Sequence, residues 1–125
     1  MIIDRIVQAK QQELEQQKRS LPLTELRRMA LAQPPTRDLA AALRGDGIRL
    51  IAEVKKESPS RGVIRSQFQP VEIARIYARH GAAAISVLTE VNYFQGSLDH
   101  IRDIRKALGN NVRCLSGLPV SRLRR

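Results

Sequence analysis

Apolar positions in the first third of this chain recur at helical spacing. Ile3, Ile6, Val7 and Leu14 fall on one side of a helix with Lys10 among them, and Gln11 to Arg19 make a polar continuation. Pro22 opens a second short helix through Leu31, Pro34-Pro35 stops it, and Asp38 is placed to cap a third over Leu39 to Leu43. After the turn Gly45-Asp46-Gly47 the period changes. Ile48, Leu50, Ile51, Ala52 and Val54 are apolar with weak alternation, which predicts a strand over residues 48 to 54 buried on both faces of a parallel sheet. Pro70 suits a first helical position, Val71, Ile73, Ala74, Ile76 and Tyr77 supply an apolar face, and His80-Gly81 signals the end. Ala82 to Leu88 reads as a second buried strand. Ser97 caps a further helix on which Leu98, Ile101, Ile104 and Leu108 repeat, with Asp99 in its first turn and Arg105 and Lys106 in its last. Val112 to Leu115 begins another strand. Strand, helix, strand, helix, strand is the order of right-handed parallel crossover units, so the fold class is α/β.

Glu53 is the anomaly in the first strand. A carboxylate in an apolar run must face water or find a partner, because burying it alone costs several kcal/mol or shifts its pKa. Lys55 lies two residues on, on the same side of an extended chain, and is its expected counter-ion. The plain alternative is a strand end whose charges face water. The segment that follows favours chemistry: Ser58-Pro59-Ser60-Arg61-Gly62 is turn material, and the stretch from Lys55 to Gln69 far exceeds the usual loop of roughly 2 to 6 residues, as functional loops do.

Charge changes the picture only at one end. Of the formal net charge of +10, four units come from Arg113, Arg122, Arg124 and Arg125, with no acidic residue between positions 113 and 125. A basic tail binds phosphates in general, and a small phosphate- or nucleic-acid-binding module is the alternative from another class. Aromatic residues are only 3% of the chain and none interleaves with the arginines, so specific nucleic-acid binding is not expected. The N-terminus lacks the basic and long apolar run of a signal peptide, and no apolar stretch approaches about 18 residues, which points to a cytoplasmic protein with no membrane partner. Cys114 is the one cysteine, expected as a small buried hydrophobe. His80 reads as a helix C-terminal residue and His100 lies on a helix without ligand neighbours, so no metal site is expected.

Three motifs occur together and in order: Ile51 to Gly62, the stretch Gly81-Ala-Ala-Ala-Ile-Ser-Val-Leu-Thr-Glu90, and Tyr93-Phe-Gln-Gly-Ser97. Up to about Leu115 the chain resembles the indole-3-glycerol phosphate synthase family. That resemblance implies a (β/α)8 barrel and a lyase of tryptophan biosynthesis. Its substrate is a phosphorylated small molecule, carboxyphenylamino-deoxyribulose phosphate, which closes its ring with loss of carbon dioxide and water; no metal or organic cofactor is implied. It also implies roles. Lys55 contacts the substrate's carboxylate or phosphate and supports proton transfer, Glu53 holds it charged and oriented, Ser58 and Pro59 belong to the mobile loop after strand one, and Phe94 lines the aromatic pocket.

A complete barrel needs about 250 residues. The expected content is therefore partial: a helical extension over residues 1–47, the first strand-helix units of a TIM barrel over 48–115, and a divergent basic tail over 116–125. In the family the extension lies over the barrel mouth, and strand three continues into Lys-Asp-Phe, whose lysine is the general acid. Here Ser116-Gly117-Leu118-Pro119 stands instead. Gly-Leu-Pro can be written GGA-CTT-CCT, which in the neighbouring frame encodes Asp-Phe, so the tail reads as a frameshifted continuation. A chain of this content is expected to be inactive alone, and to self-associate through open sheet edges and the uncovered inner faces of Ile51, Ile85 and Val87.

Overall fold

A computed structural model describes residues 1–109 and the backbone of 113–117. It divides into two compact units, Met1–Thr36 and the residues from Arg37 onward. The first holds α1 (Ile2–Ser20) and α2 (Leu23–Leu31), neither of which buries a residue. Their stability is local. Asp4 near the start of α1 and Lys18 and Arg19 at its end complement the helix dipole, and one-turn pairs join Lys10 to Glu13 at 2.5 Å and Lys18 to Glu15 at 2.8 Å. Pro22 stands as the N-cap of α2, one position ahead of its first helical residue.

The second unit runs α3 (Leu39–Leu43), β1 (Ile51–Val54), β2 (Glu57–Ser58), β3 (Gly62–Val63), α4 (Pro70–Arg79), β4 (Ala84–Leu88), α5 (Leu98–Leu108) and β5 (Arg113–Gly117). The expected caps are made. Asp38 Oδ1 accepts from Ala41 N–H at 2.9 Å, Ser97 Oγ accepts from Asp99 N–H at 3.1 Å, and Pro70 opens α4. His80 caps the end of α4, its Nδ1 2.8 Å from the Ile76 carbonyl, and Gly81 follows at φ +83°.

β1, β4 and β5 form a parallel sheet in the order β1-β4-β5, with Ile51 opposite Ala84, Val54 opposite Val87, and Leu88 opposite Gly117. The sheet is not closed among the described residues. α4 and α5 cover one face, where Val54, Ile85, Val87, Ile73, Ala74 and Ile104 form the core and Phe68, Val71, Tyr77, Ala78, Ile101 and Leu108 pack around it. Each fully buried Ile or Val side chain contributes about 1.5–3 kcal/mol relative to exposure.

Three expectations are corrected here. The first strand starts at Ile51, not at residue 48, and Ile48 is 99% exposed. The reason is register: Ile51 already faces Ala84, the first residue of β4, and Leu50 is held only through its carbonyl, which accepts from Ala83 N–H at 2.9 Å. β1 is not buried on both faces, because helices cover one face only: Ala52 and Val54 are buried and Ile51 is 44% exposed. Ile85 and Val87 do not belong to the uncovered face with Ile51; they pair with Ala52 and Val54 on the helix side and are 0% exposed. The strand expected to begin over Val112 to Leu115 is present as Arg113–Gly117, and Val112 itself lies outside the described residues. So do residues 118–125, which carry most of the expected divergent tail.

Candidate functional site

Side chains at i and i+2 of an extended segment point the same way, and at the C-terminal end of β1 this brings Glu53 and Lys55 together. Lys55 Nζ lies 2.7 Å from Glu53 Oε1, with both side chains half-exposed. A pair so exposed adds only about 0–1 kcal/mol to stability. Its consequence is chemical: the ammonium is held beside a carboxylate and still open to a ligand. The Glu53 backbone is fixed from α4, where Tyr77 Oη donates to the Glu53 carbonyl at 3.2 Å.

Glu53 and Lys55 line a cleft of about 550 Å³ together with Ile64, Arg65, Ile73 and Tyr77. Two cations, one carboxylate, two aliphatic side chains and a phenol suit a ligand that is part anion and part apolar. Arg65 and Tyr77 carry no signal of this in the sequence, the first lying inside a long connection and the second reading as one more apolar position of a helix.

The long connection after β1 is a small hairpin. Glu57–Ser58 pairs antiparallel with Gly62–Val63, and Ile64 N–H donates to the Lys56 carbonyl at 2.8 Å below it. Ser58 is buried in this hairpin and Pro59 is exposed at its tip. Two-residue strands carry no readable period, which is why the sequence shows the turn residues alone. Phe94 sits half-buried in the loop after β4. Ser58, Pro59 and Phe94 do not line the cleft, but Gln95, next to Phe94, donates through Nε2 to Glu57 Oε2 and so ties the two loops together.

Two further groups emerge only in three dimensions. Glu90 is buried at the start of the second loop, where its carboxylate accepts two backbone N–H groups. His100 packs edge-on against Phe68, ring centroids 5.4 Å apart, and its Nδ1 is buried without a hydrogen-bond partner among the described residues. Burial pushes its imidazole below the ordinary value, Lys56 adds to this, and Asp103 and Asp99 on its own helix oppose it. Among the described residues no three His, Cys, Asp or Glu side chains are placed to hold a metal ion, and no helix is long and apolar enough to cross a membrane.

Parallel β–α units with a carboxylate–ammonium pair at a strand's C-terminal end define an α/β protein of the kind that builds its sites at that rim. Comparison with known proteins carries this to a family. The sequence profile of indole-3-glycerol phosphate synthase matches residues 3–116, and the chain belongs to that family. It is 55% identical over 108 residues to the indole-3-glycerol phosphate synthase of Dehalococcoides mccartyi strain CBDB1, covering 86% of this chain and 42% of that protein. It is 52% identical over 105 residues to the enzyme of the same name from Roseiflexus sp. strain RS-1, covering 83% and 39%. For that of Dechloromonas aromatica strain RCB the figures are 43% over 110 residues, covering 85% and 42%. The chain thus spans about two fifths of the length of these curated relatives. An open three-stranded parallel sheet is consistent with part of a TIM barrel.

Proposed function

We propose that this chain carries the strand-one portion of the catalytic site of an indole-3-glycerol phosphate synthase, a carboxy-lyase of cytoplasmic tryptophan biosynthesis, within the first units of a (β/α)8 barrel. The observation that carries the reading is the Lys55–Glu53 pair, 2.7 Å apart at the C-terminal end of β1 and open to a cleft. The substrate is carboxyphenylamino-deoxyribulose phosphate. Closing its ring requires a cation to hold the carboxylate until carbon dioxide leaves, an acid for the departing hydroxyl, and an apolar slot for the aromatic ring. Lys55 supplies the cation and supports proton transfer, and Glu53 keeps it charged and aimed. Ser58 and Pro59 bring the hairpin over the rim, and Phe94 contributes the ring against which the substrate's aromatic ring lies.

The activity is distributed over several strands, so the 125-residue chain alone is inactive. The test joins the remaining segment of the Dehalococcoides mccartyi relative after Leu115 and follows indole-glycerol-phosphate formation. The joined chain turns over, and Lys55→Ala lowers kcat by about 10²–10⁴-fold with the thermal midpoint kept. Full turnover by the Lys55→Ala chain would refute the assignment, as would turnover by the 125-residue chain on its own for the claim of inactivity.

A further inference from the structure

The loop that carries Phe94 is organised by one buried acid. Glu90 is 3% exposed, yet its side chain ends in a carboxylate. Glu90 Oε1 accepts from Asn92 N–H at 3.1 Å, Oε2 accepts from Tyr93 N–H at 2.6 Å, and its carbonyl accepts from Gly96 N–H at 2.7 Å. Positions 92, 93 and 96 are thereby all tied back to position 90. The closure has a backbone cost on its far side: Gln95 takes φ +48°, a region that non-glycine residues seldom enter. It also leaves no room at position 96, where a Cβ would run into the Leu88 and Glu90 carbonyls, so only glycine fits. Phe94 stands between these fixed points, and Gln95 fastens the same loop to Glu57 of the hairpin.

An apolar residue at position 90 would fill the same space without the penalty of burying a charge. What it could not do is accept two amide hydrogens at once, in charge-assisted bonds that are roughly twice as strong as neutral ones. We propose that Glu90 is the positioning residue for Phe94, holding the loop after β4 in the conformation that presents that ring at the rim. This rests on the reading of Phe94 as the ring that meets the substrate, and it extends the site to a residue that touches neither the substrate nor the Lys55–Glu53 pair.

Phe94 and Phe68 are the only phenylalanines in the chain, which makes the test direct. Both are replaced by 4-fluorophenylalanine in the 125-residue protein and observed by fluorine NMR, Phe68 against His100 serving as the internal control. In Glu90→Ala and Glu90→Gln the Phe94 resonance moves most of the way to its position in the denatured chain while that of Phe68 stays. Glu90→Asp keeps about half of the native displacement, because an aspartate still reaches the N–H two residues on, as in an Asx turn. A Phe94 signal unmoved in Glu90→Ala overturns the proposal. So does joint movement of both signals in the isosteric Glu90→Gln, which would make Glu90 a determinant of the whole fold; that variant decides if Glu90→Ala does not fold. No substrate enters this experiment, so its failure leaves the Lys55 reading standing, and a failed turnover assay leaves this one standing.

Discussion

The two faces of the parallel sheet are made by the same strands and do different work. On the helix side Val54, Ile85 and Val87 are at most 1% exposed and pack on Ile73, Ala74 and Ile104. On the other side Ile51 is 44% exposed, and Glu53 faces Ser86 across the strand pair with its carboxylate on Lys55. Among the described residues of that face only Ala84, small and on the central strand, is buried. The core is concentrated on the helix side, while Glu53 stands on the open side and reaches, with Lys55, a cleft that Ile73 and Tyr77 of α4 also line. That difference between the faces can be broken or sharpened by substitution.

The largest effect is expected from the helix side. Ile85→Ala removes a wholly buried side chain and should cost about 2–5 kcal/mol in urea unfolding. Ile51→Ala, one position earlier in the register on the open face, should cost about 1 kcal/mol, because the residue is 44% exposed and leaves no closed cavity behind. Equal losses at the two positions would mean that the open face is covered in solution.

Cover of that kind has an expected source, and it gives the second prediction. Among the described residues β1 and β5 each pair only with β4, so each leaves one row of backbone groups free. Free edges invite pairing with another chain. Tyr77 blunts the β1 edge by taking the Glu53 carbonyl, without removing it. Sedimentation of the 125-residue chain should therefore show concentration-dependent self-association, greater in Tyr77→Phe, which releases that carbonyl. A monomer across the concentration range would end the idea.

How much of this is legible in the residues depends on what each signal measures. The caps at Asp38 and Ser97, the Pro70 start of α4 and the Glu53–Lys55 pairing are readable, because each rests on contacts within four residues. Burial is less so. An apolar run announces a strand but not which of its faces a helix will cover, and the pattern alone therefore puts Ile85 on the wrong side. The start of β1 depends on where β4 begins, some thirty residues away, and no local pattern at Ile48 reports that. The hairpin at Ser58 is too short to show a period. Glu90 reads as the last residue of a motif; only its hydrogen bonds to Asn92, Tyr93 and Gly96 reveal what it holds.

A smaller effect sharpens the comparison on the open side. In the joined full-length chain, Phe94→Ala should raise KM more than it lowers kcat, since an aromatic pair contributes roughly 0.5–1.5 kcal/mol beyond its area. Its unfolding midpoint should stay near that of the parent, in contrast to Ile85→Ala. Loss of stability in proportion to activity would return Phe94 to the structural side.

The smallest expected effect lies where the helix-covered side meets the long connection. His100 on α5 packs against Phe68, with Lys56 facing it from the connection and Asp99 and Asp103 on its own helix. Burial holds its folded pKa below the unfolded value of about 6.5. Between the two values the unfolded chain binds the proton and the folded chain does not, so stability rises with pH in that window. The contribution is fully present above the unfolded value and is lost as pH falls through the lowered one. Urea midpoints should decline as pH is lowered below about 6.5, before the carboxylates titrate near 4. His100→Leu, which keeps an apolar contact to Phe68 and removes the titration, should flatten the profile there. An unchanged slope in His100→Leu would assign the pH dependence to another group and leave the buried Nδ1 without effect on folding.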